Sequence, residues 1–281
     1  MQLGRFTLQT VSGGTFRIDG GTMFGVVPKA LWSRVFACDE KNNIAQQTNC
    51  VLIRDGDRTI LIDTGYGSKF SVKRRRIFES EPGDPLLRNL QAAGVQPEDV
   101  DTVILSHLHF DHAGGATQRD AAGELATTFP NAEYVAQRRE WVEATGDFPE
   151  LRGMYPQENL LPLKESGRLR LVDGNVELAP GIRAWVTGGH TVAHSAIVIE
   201  SEGETAIYLG DLCPDTRHLP IYWGMSYDVD LLQLRRMKAE VLGRVADENW
   251  LALFDHDPDH AVARLQRDPK RDFAVREFIA M

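Results

Sequence analysis

Ten residues near the middle of the chain, SHLHFDHAGG at 106–115, restrict what this protein can be more than any other segment. Three histidines and an aspartate occupy six consecutive positions, and imidazole with carboxylate is the donor set of zinc-type sites. Alternate positions in an extended backbone project to one side, so three of the four side chains are expected to share a face. A polar turn without metal is the alternative, but clusters this dense are rare by chance. The four residues are His107, His109, Asp111 and His112.

Apolar runs and turn residues predict an α/β fold with a two-layered sheet core and helices outside. The segment 50–65 is typical of a hairpin, and 84–94 is typical of a helix that Asp84 caps and Pro85 begins. The pair Gly114–Gly115 is expected to turn the chain into another helix. Further strands are predicted at 101–107, 183–187, 196–200, 205–210 and 249–254, and a further helix at 229–245.

Four residues cannot complete two metal sites, so further ligands must come from later segments. His190, Asp211 and His256 each follow an apolar strand, which is where α/β folds place functional side chains. The sequence therefore predicts a centre built from seven residues.

These motifs, HLHFDH followed by GGH, GD and a late histidine, resemble those of the metallo-β-lactamase-fold hydrolases. The resemblance runs from about residue 48 to His256 and includes LIDTG at 61–65. It implies an αββα sandwich, two sheets flanked by helices, with 1–281 as a single domain. It also implies that Asp63 orients the metal loop without binding metal. By the same resemblance, a first metal takes His107, His109 and His190, a second takes Asp111, His112 and His256, and Asp211 bridges both.

The chemistry that the resemblance implies is hydrolysis at two zinc ions, although other divalent ions suit the same ligands. Zinc lowers the pKa of bound water toward about 7, so a hydroxide shared by the two ions would attack an electrophilic carbonyl or phosphoryl centre. Asp111 is expected to act as the catalytic residue that carries a proton to the leaving alkoxide. Redox di-iron relatives usually have Glu where this chain has His109, which favours hydrolysis over oxygen chemistry.

The segment 21–32, with FGVVPK, resembles the branch that holds quorum-quenching N-acyl-homoserine lactone lactonases and methyl parathion hydrolase. This predicts a lactonase acting on an acyl lactone; an organophosphate or aryl-ester hydrolase and a non-catalytic metal-binding sensor are the alternatives. The N-terminal segment 1–47 is expected to form a substrate wall or a subunit interface, the latter giving a homodimer. Some lactonases have a tyrosine at the place of Pro214, and here Tyr222 or Trp223 is expected to make that substrate contact instead. The full set of expected substrate contacts is Met23, Phe24, Trp32, Tyr222 and Trp223.

Composition narrows the partners and the compartment. The 31 basic and 40 acidic residues give a formal net charge of −9, which disfavours nucleic acid as a partner. No run approaches the roughly 20 apolar residues that span a bilayer, and the N-terminus has no signal-peptide pattern. Cys38, Cys50 and Cys213 form no CxxC pair, which favours the reducing cytoplasm.

Several other residues are assigned less specific roles. His194, in HTVAH where the family commonly has HTPGH, is expected to support the site without binding metal. His260 is expected in a helix without a metal role, and His218 is left open between pocket and core. The run KRRR at 73–76 is expected to be a solvated face, with attraction of an anionic substrate as the alternative. Cys213 is expected to be a small buried apolar residue.

Overall fold

The computed structural model describes residues 1–151 and 153–281, which form two seven-stranded sheets, a small two-stranded sheet and surrounding helices. In the first sheet the strands lie in the order β1 (Gln2–Leu3), β2 (Phe6–Asp19), β3 (Asn43–Asp55), β4 (Arg58–Ile62), β5 (Thr102–Ile104), β8 (Glu133–Gln137) and β9 (Leu169–Val172). The pairs β4–β5, β5–β8 and β8–β9 are parallel, and the others are antiparallel.

The second sheet keeps its strands in chain order: β10 (Glu177–Ala179), β11 (Ile182–Val186), β12 (Ser195–Ser201), β13 (Glu204–Tyr208), β14 (Leu251–Leu253), β15 (Val262–Asp268) and β16 (Asp272–Phe278). Within this sheet only the pair β13–β14 is parallel. The small sheet pairs β6 (Thr117–Arg119) with β7 (Leu125–Thr127).

The helices lie around the sheets and at their edges. They are α1 (Gly20–Met23), α2 (Lys29–Trp32), α3 (Val72–Phe78), α4 (Pro85–Ala92), α5 (Phe110–Ala113), α6 (Arg138–Thr145), α7 (Leu161–Glu165) and α8 (Leu231–Asp247). None of the helices in the described part of the chain is long and apolar enough to cross a membrane.

Three apolar layers hold the sandwich together. The central one lies between the sheets, where residues such as Ile53 and Ile62 meet Ile197 and Leu253. A second layer packs α4, α6 and α7 onto the outer face of the first sheet. A third packs α8 onto the outer face of the second sheet. The predicted α/β class and the αββα arrangement are therefore confirmed.

Most predicted elements are present, with shifted ends. The hairpin is β3 and β4, and Asp84 caps α4 by accepting a hydrogen bond from Leu87 N–H, with Pro85 at the first helical position. The strand predicted at 101–107 stops at Ile104, because Ser106 N–H leaves the sheet and donates to Asp63. The helix predicted at 229–245 is α8, with Asp230 as its cap.

The backbone around the histidine cluster differs from the prediction. The extended alternation of His107, His109 and Asp111 is wrong, because His109 caps α5 and Asp111 lies inside that helical turn. The α-helix therefore precedes Gly114 and Gly115, which themselves form only a short 3-10 helix, Gly114–Ala116. These glycines also provide close approach: a Cβ on either one would come within 2.5 Å of a carbonyl oxygen of the loop after β4.

Candidate metal centre

Four loops meet at one edge of the sandwich, and each follows a strand. They come after β5, β11, β13 and β14, and they carry the histidines and aspartates that the sequence singled out. Short apolar strands fix where each loop leaves its sheet, so side chains far apart in the chain converge at this edge.

The first cluster consists of His107, His109, His190 and Asp211, all buried, with one donor atom from each lying within 4.8 Å of the others. His109 Nδ1 is 3.1 Å from His107 Nε2 and 3.0 Å from His190 Nε2. Asp211 Oδ2 is 2.8 Å from His190 Nε2. Three imidazole nitrogens and one carboxylate oxygen therefore face one point.

The second cluster consists of His112, Asp211, Asp255 and His256, again buried and with donor atoms within 4.8 Å of one another. Asp211 belongs to both clusters: its Oδ1 lies 3.3 Å from His256 Nε2 and its Oδ2 lies 3.6 Å from His112 Nε2. One carboxylate thus joins two candidate sites.

Asp111 lies at the open side of the second cluster. Its Oδ2 is 3.6 Å from His256 Nε2, its Oδ1 is 3.9 Å from His112 Nε2, and its side chain is 13% exposed. Asp255, which no sequence motif marks, occupies the inner, fully buried side. The predicted residues are thus brought together, with one further carboxylate among them.

The donor atoms fit divalent ions. Among the described residues, buried atoms without a hydrogen-bond partner include His112 Nε2, Asp211 Oδ1 and both carboxylate oxygens of Asp255. Buried polar atoms are rarely left unpaired, and buried charges are normally paired or coordinate metals. Imidazole and carboxylate also match the ligand preferences of zinc and neighbouring divalent ions.

Hydrogen bonds from outside orient the imidazole rings. Asp63 Oδ2 accepts from His112 Nδ1 at 2.8 Å and from the Tyr208 hydroxyl at 2.9 Å, while Ser106 donates to both Asp63 oxygens. This leaves His112 Nε2 facing the centre, and it places Asp63 beside the metal loop and outside both clusters. Such partners fix the tautomer and direction of a metal-binding histidine.

Two more histidines have outer partners that sequence reasoning missed. His190 Nδ1 lies 2.9 Å from Asp228 Oδ1, and Asp228 is itself held by Met225 N–H. His256 Nδ1 lies 2.7 Å from the carbonyl of Gln47 in β3. Neither partner belongs to a recognisable motif, so only the fold reveals them.

The pKa values of the histidines in the two clusters shift in opposite directions. Burial lowers the pKa of His107 and His109 well below the usual value, with neighbouring histidines adding to the effect. Burial also opposes charge on His190, yet Asp211 and Asp228 raise its pKa to about 10. The pKa of His256 is likewise about 10, because Asp255 and Asp211 outweigh its burial. The buried carboxylates therefore favour positive charge on His190 and His256.

Glu140 in α6 connects two of the loops. Its Oε1 accepts from Leu108 N–H at 3.3 Å, and its Oε2 accepts from the Thr191 hydroxyl at 2.7 Å and from Ala193 N–H at 3.3 Å. Burial raises the pKa of this carboxyl, although the three donors lower it. No sequence motif marks Glu140, which lies in an ordinary amphipathic helix.

His194 lies beneath the first cluster, with its ring centroid 5.2 Å from that of His107. Its Nδ1 is 2.7 Å from the Thr187 hydroxyl, and burial together with neighbouring histidines lowers its pKa to about 3. A Cβ on Gly210 would lie 2.6 Å from its Nε2, so the turn before Asp211 packs directly on this ring.

A cavity of about 220 Å³ opens onto both clusters. His109, Asp111, His190, Asp211 and His256 form its floor, and Arg74 and Tyr227 also line it. We call its apolar side chains the apolar wall; they are Phe16, Ile18, Met23, Phe78, Phe110, Met154 and Met225.

The expected substrate contacts change in consequence. Of the expected contacts Met23, Phe24 and Trp32, only Met23 lines the cavity. Phe24 stacks between Trp32 and His218, and both Phe24 and Trp32 are buried in an apolar cluster that Met23 and Met225 join to the wall. Trp223 packs on that cluster, and Tyr222 is 62% exposed away from the cavity. The course of the loops determines which of these side chains reach the cavity. The run of apolar residues in the sequence therefore could not identify the ones that do.

The remaining predictions have mixed outcomes. His260 lies in a loop and stacks on Phe278, so its assignment to a helix is wrong. His218 Nε2 donates to the Met23 carbonyl at 2.8 Å and lies in the core. The run 73–76 lies in α3, where Arg74 reaches the cavity and Arg75 donates to backbone carbonyls. Cys213 is buried in the apolar layer beneath α8.

Comparison with known proteins agrees with this geometry. The pattern of the Metallo-beta-lactamase superfamily matches residues 44–246. An N-acyl homoserine lactonase of Bacillus cereus is 27% identical over 224 residues, 74% of this chain and 80% of that protein. A probable metal-dependent hydrolase from Staphylococcus aureus superposes with a TM-score of 0.88 at 32% identity, covering 100% of both chains.

A second solved structure shares the fold at lower identity. AidC, a dizinc quorum-quenching lactonase bound to its N-acyl homoserine product, has a TM-score of 0.81 at 23% identity, covering 100% of this chain and 97% of its own. With the superfamily match and the full-length Staphylococcus aureus relative, these results identify the chain as a hydrolase of the metallo-beta-lactamase superfamily, related to the N-acyl homoserine lactonases.

Proposed function

We propose that the protein is a binuclear metal hydrolase that opens lactone rings, with N-acyl-homoserine lactones as its substrates. The observation that carries this proposal is the cavity whose apolar wall ends on two ligand clusters joined by Asp211. An acyl lactone has the matching chemistry, since its polar ring would lie on the clusters and its tail along the wall. The similarity to lactonases of the same superfamily supports the proposal.

The proposed ligands are those of the family pattern, and the proposed ions are two zinc ions per chain. His107, His109 and His190 would hold one ion, Asp111, His112 and His256 the other, and Asp211 would contact both. When bound, such ions supply Lewis acidity and a water whose pKa falls toward about 7.

The chain's own side chains then orient the substrate and move the proton. Asp111 is partly exposed on the cavity floor, where its carboxylate can pass a proton to the leaving alkoxide. Tyr227 lines the same cavity, and burial raises the pKa of its hydroxyl, which therefore keeps its proton. We assign Tyr227 to hydrogen bonding with a substrate oxygen, the role first expected of Tyr222 or Trp223.

The apolar wall would bind the acyl tail and exclude water from the reacting ring. Its residues come from β2, α1, α3, α5 and the loops around 154 and 225, so it surrounds the floor on several sides. Burying one CH2 group contributes about 0.8 kcal/mol, so tail length is expected to govern selectivity.

Compartment and assembly remain part of the proposal. Cys38, Cys50 and Cys213 are all free thiols, two of them buried, which supports a reducing cytoplasm as the place of action. We propose that 1–281 works as one hydrolase domain. A homodimer, and a subunit interface at the N-terminal segment 1–47, stay predictions.

A hydrolysis panel tests the function. With zinc-loaded protein, acyl-homoserine lactones are expected to show kcat/KM values at least about tenfold above those of simple lactones, aryl esters and paraoxon-like triesters, because only they occupy both floor and wall. Metal-free protein is the control. Faster triester or aryl-ester hydrolysis would favour the alternative enzyme class, and no turnover with two bound ions would favour a sensor.

A second prediction concerns the apolar wall. Phe78→Ala is expected to lower the preference for an eight-carbon over a four-carbon acyl chain several-fold, because it removes wall area from the tail and leaves the floor intact. Rates with four-, eight- and twelve-carbon substrates measure this. Ile77→Ala, at a neighbouring position that is 56% exposed, is the matched control.

Phe24→Ala provides the contrasting case. Phe24 is buried in a cluster behind the wall, so this variant is expected to lose stability and keep the wild-type chain-length profile. If Phe24→Ala altered the profile and Phe78→Ala did not, the wall would be wrongly placed.

A further inference from the structure

Asp255 is a buried carboxylate that no established motif explains. It precedes His256 in the loop after β14, it is completely buried, and neither carboxylate oxygen has a hydrogen-bond partner among the described residues. Burying an unpaired carboxylate is costly unless a cation or a donor compensates. The fold nevertheless keeps Asp255 in this position.

The backbone holds the Asp255 loop firmly against β3. The Asp255 carbonyl accepts from Asn49 N–H at 2.7 Å, and the Asn49 side chain donates to the carbonyls of Phe254 and Asp257. The next residue, His256, is tied to Gln47. These bonds fix the start of the Asp255 side chain, so its orientation toward the centre is built into the fold.

The carboxylate lies where a ligand would lie. Asp255 Oδ2 is 3.8 Å from His112 Nε2 and 3.6 Å from His256 Nε2. Two ligands that each lie about 2.1 Å from one ion are separated by roughly 3.0 to 4.2 Å. Asp211 completes this group, in which all donor atoms lie within 4.8 Å of one another.

We propose that Asp255 is a direct ligand of the second metal ion, in addition to Asp111, His112, Asp211 and His256. This inference rests on the proposed binuclear function and adds a ligand to it. The first site would then contain three imidazoles and one carboxylate, whereas the second would contain two imidazoles and three carboxylates.

The two sites would consequently prefer different ions. Nitrogen-rich, four-coordinate sites suit zinc, whereas carboxylate-rich sites with more ligands suit harder ions such as Mn²⁺. The second site is therefore expected to bind Mn²⁺ competitively with zinc. Asp255 would be the residue that determines this metal specificity.

Metal titration of Asp255→Ala tests the proposal. The variant is expected to bind the second ion at least tenfold more weakly, with the first ion's Kd within threefold of wild type, and to lose Mn²⁺ binding at the second site. Competition with a chromophoric chelator gives both Kd values. The absorption spectrum of the Co²⁺-loaded protein reports a change in coordination at the second site without requiring any turnover.

Two further variants make the outcome decisive. Asp255→Asn keeps the size of the side chain and covers the case in which the alanine variant does not fold. It is also expected to raise the Kd of the second ion. Asp259→Asn, in the same loop with a side chain that is 57% exposed, is the control and should leave both Kd values unchanged.

The two proposals fail in different ways. Two ions in wild type, with Kd values and Co²⁺ spectrum unchanged in Asp255→Ala and Asp255→Asn, would overturn the Asp255 assignment alone. Wild-type protein that binds a single ion would overturn the binuclear centre and Asp255 with it. A raised Kd for the first ion alone would also overturn the assignment, because Asp255 would then contribute to the first site and not to the second.

Discussion

Asp211→Ala is expected to lower kcat/KM by about a thousandfold or more while the protein stays folded, which corresponds to about 4 kcal/mol of lost transition-state stabilisation. The reason is that Asp211 is the one carboxylate shared by both clusters, within 2.8 Å of His190 Nε2 and 3.3 Å of His256 Nε2. Its removal would disturb both proposed ions at once, and metal content is expected to fall from about two ions per chain to one or fewer. Elemental analysis and steady-state kinetics measure the two effects.

Matched variants separate this effect from general damage. His109→Ala removes one ligand of the first cluster and is expected to be nearly as inactive. Cys213→Ala alters a buried residue two positions after Asp211 that packs in the apolar layer beneath α8, so its kinetics should stay close to wild type. Near wild-type rates in Asp211→Ala, with two ions still bound, would show that the catalytic centre lies elsewhere.

The convergence of the candidate ligands could be predicted because these residues occur in short motifs beside recognisable strands. His107 to His112 form one contiguous run, and His190, Asp211 and His256 each follow an apolar strand. Backbone detail was less accessible: His109 caps a helix, so the expected alternation fails although the residues still converge. The sequence pattern thus selects the candidate ligands, whereas the fold determines the direction of their side chains.

The cavity could not be predicted in the same way. Its apolar wall takes single residues from several separate segments, and no periodicity distinguishes Phe78 or Met154 from core residues. The run at 21–32 offered a denser signal but packs mainly into its own cluster, where Phe24 and Trp32 stack. Asp255 was overlooked for a different reason, since the motif draws attention to the histidine that follows it.

Glu140→Ala is expected to lower the free energy of unfolding by about 3 kcal/mol, because it leaves several buried donors without an acceptor. For a protein of this size that corresponds to a decrease in Tm of roughly 6 to 12 °C. Burial disfavours the charge of Glu140 itself, which offsets part of the loss, but the donors on Leu108, Thr191 and Ala193 stay buried. Thermal unfolding of metal-depleted protein measures the effect.

Glu140 is also expected to position ligands, and a site-selective measurement tests this. Leu108 lies between His107 and His109, and Thr191 follows His190. Loosening these loops should therefore raise the Kd of the first ion about 10- to 100-fold and leave the Kd of the second nearly unchanged. Glu140→Gln keeps one carbonyl acceptor and is expected to restore part of both losses. Val142→Ala, at a position on the same helix that is 56% exposed, is the control.

A lower Tm in Glu140→Ala with an unchanged Kd for the first ion would mean that Glu140 only stabilises the fold. An unchanged Tm would mean that its hydrogen bonds contribute nothing, because water or a shifted loop replaces them.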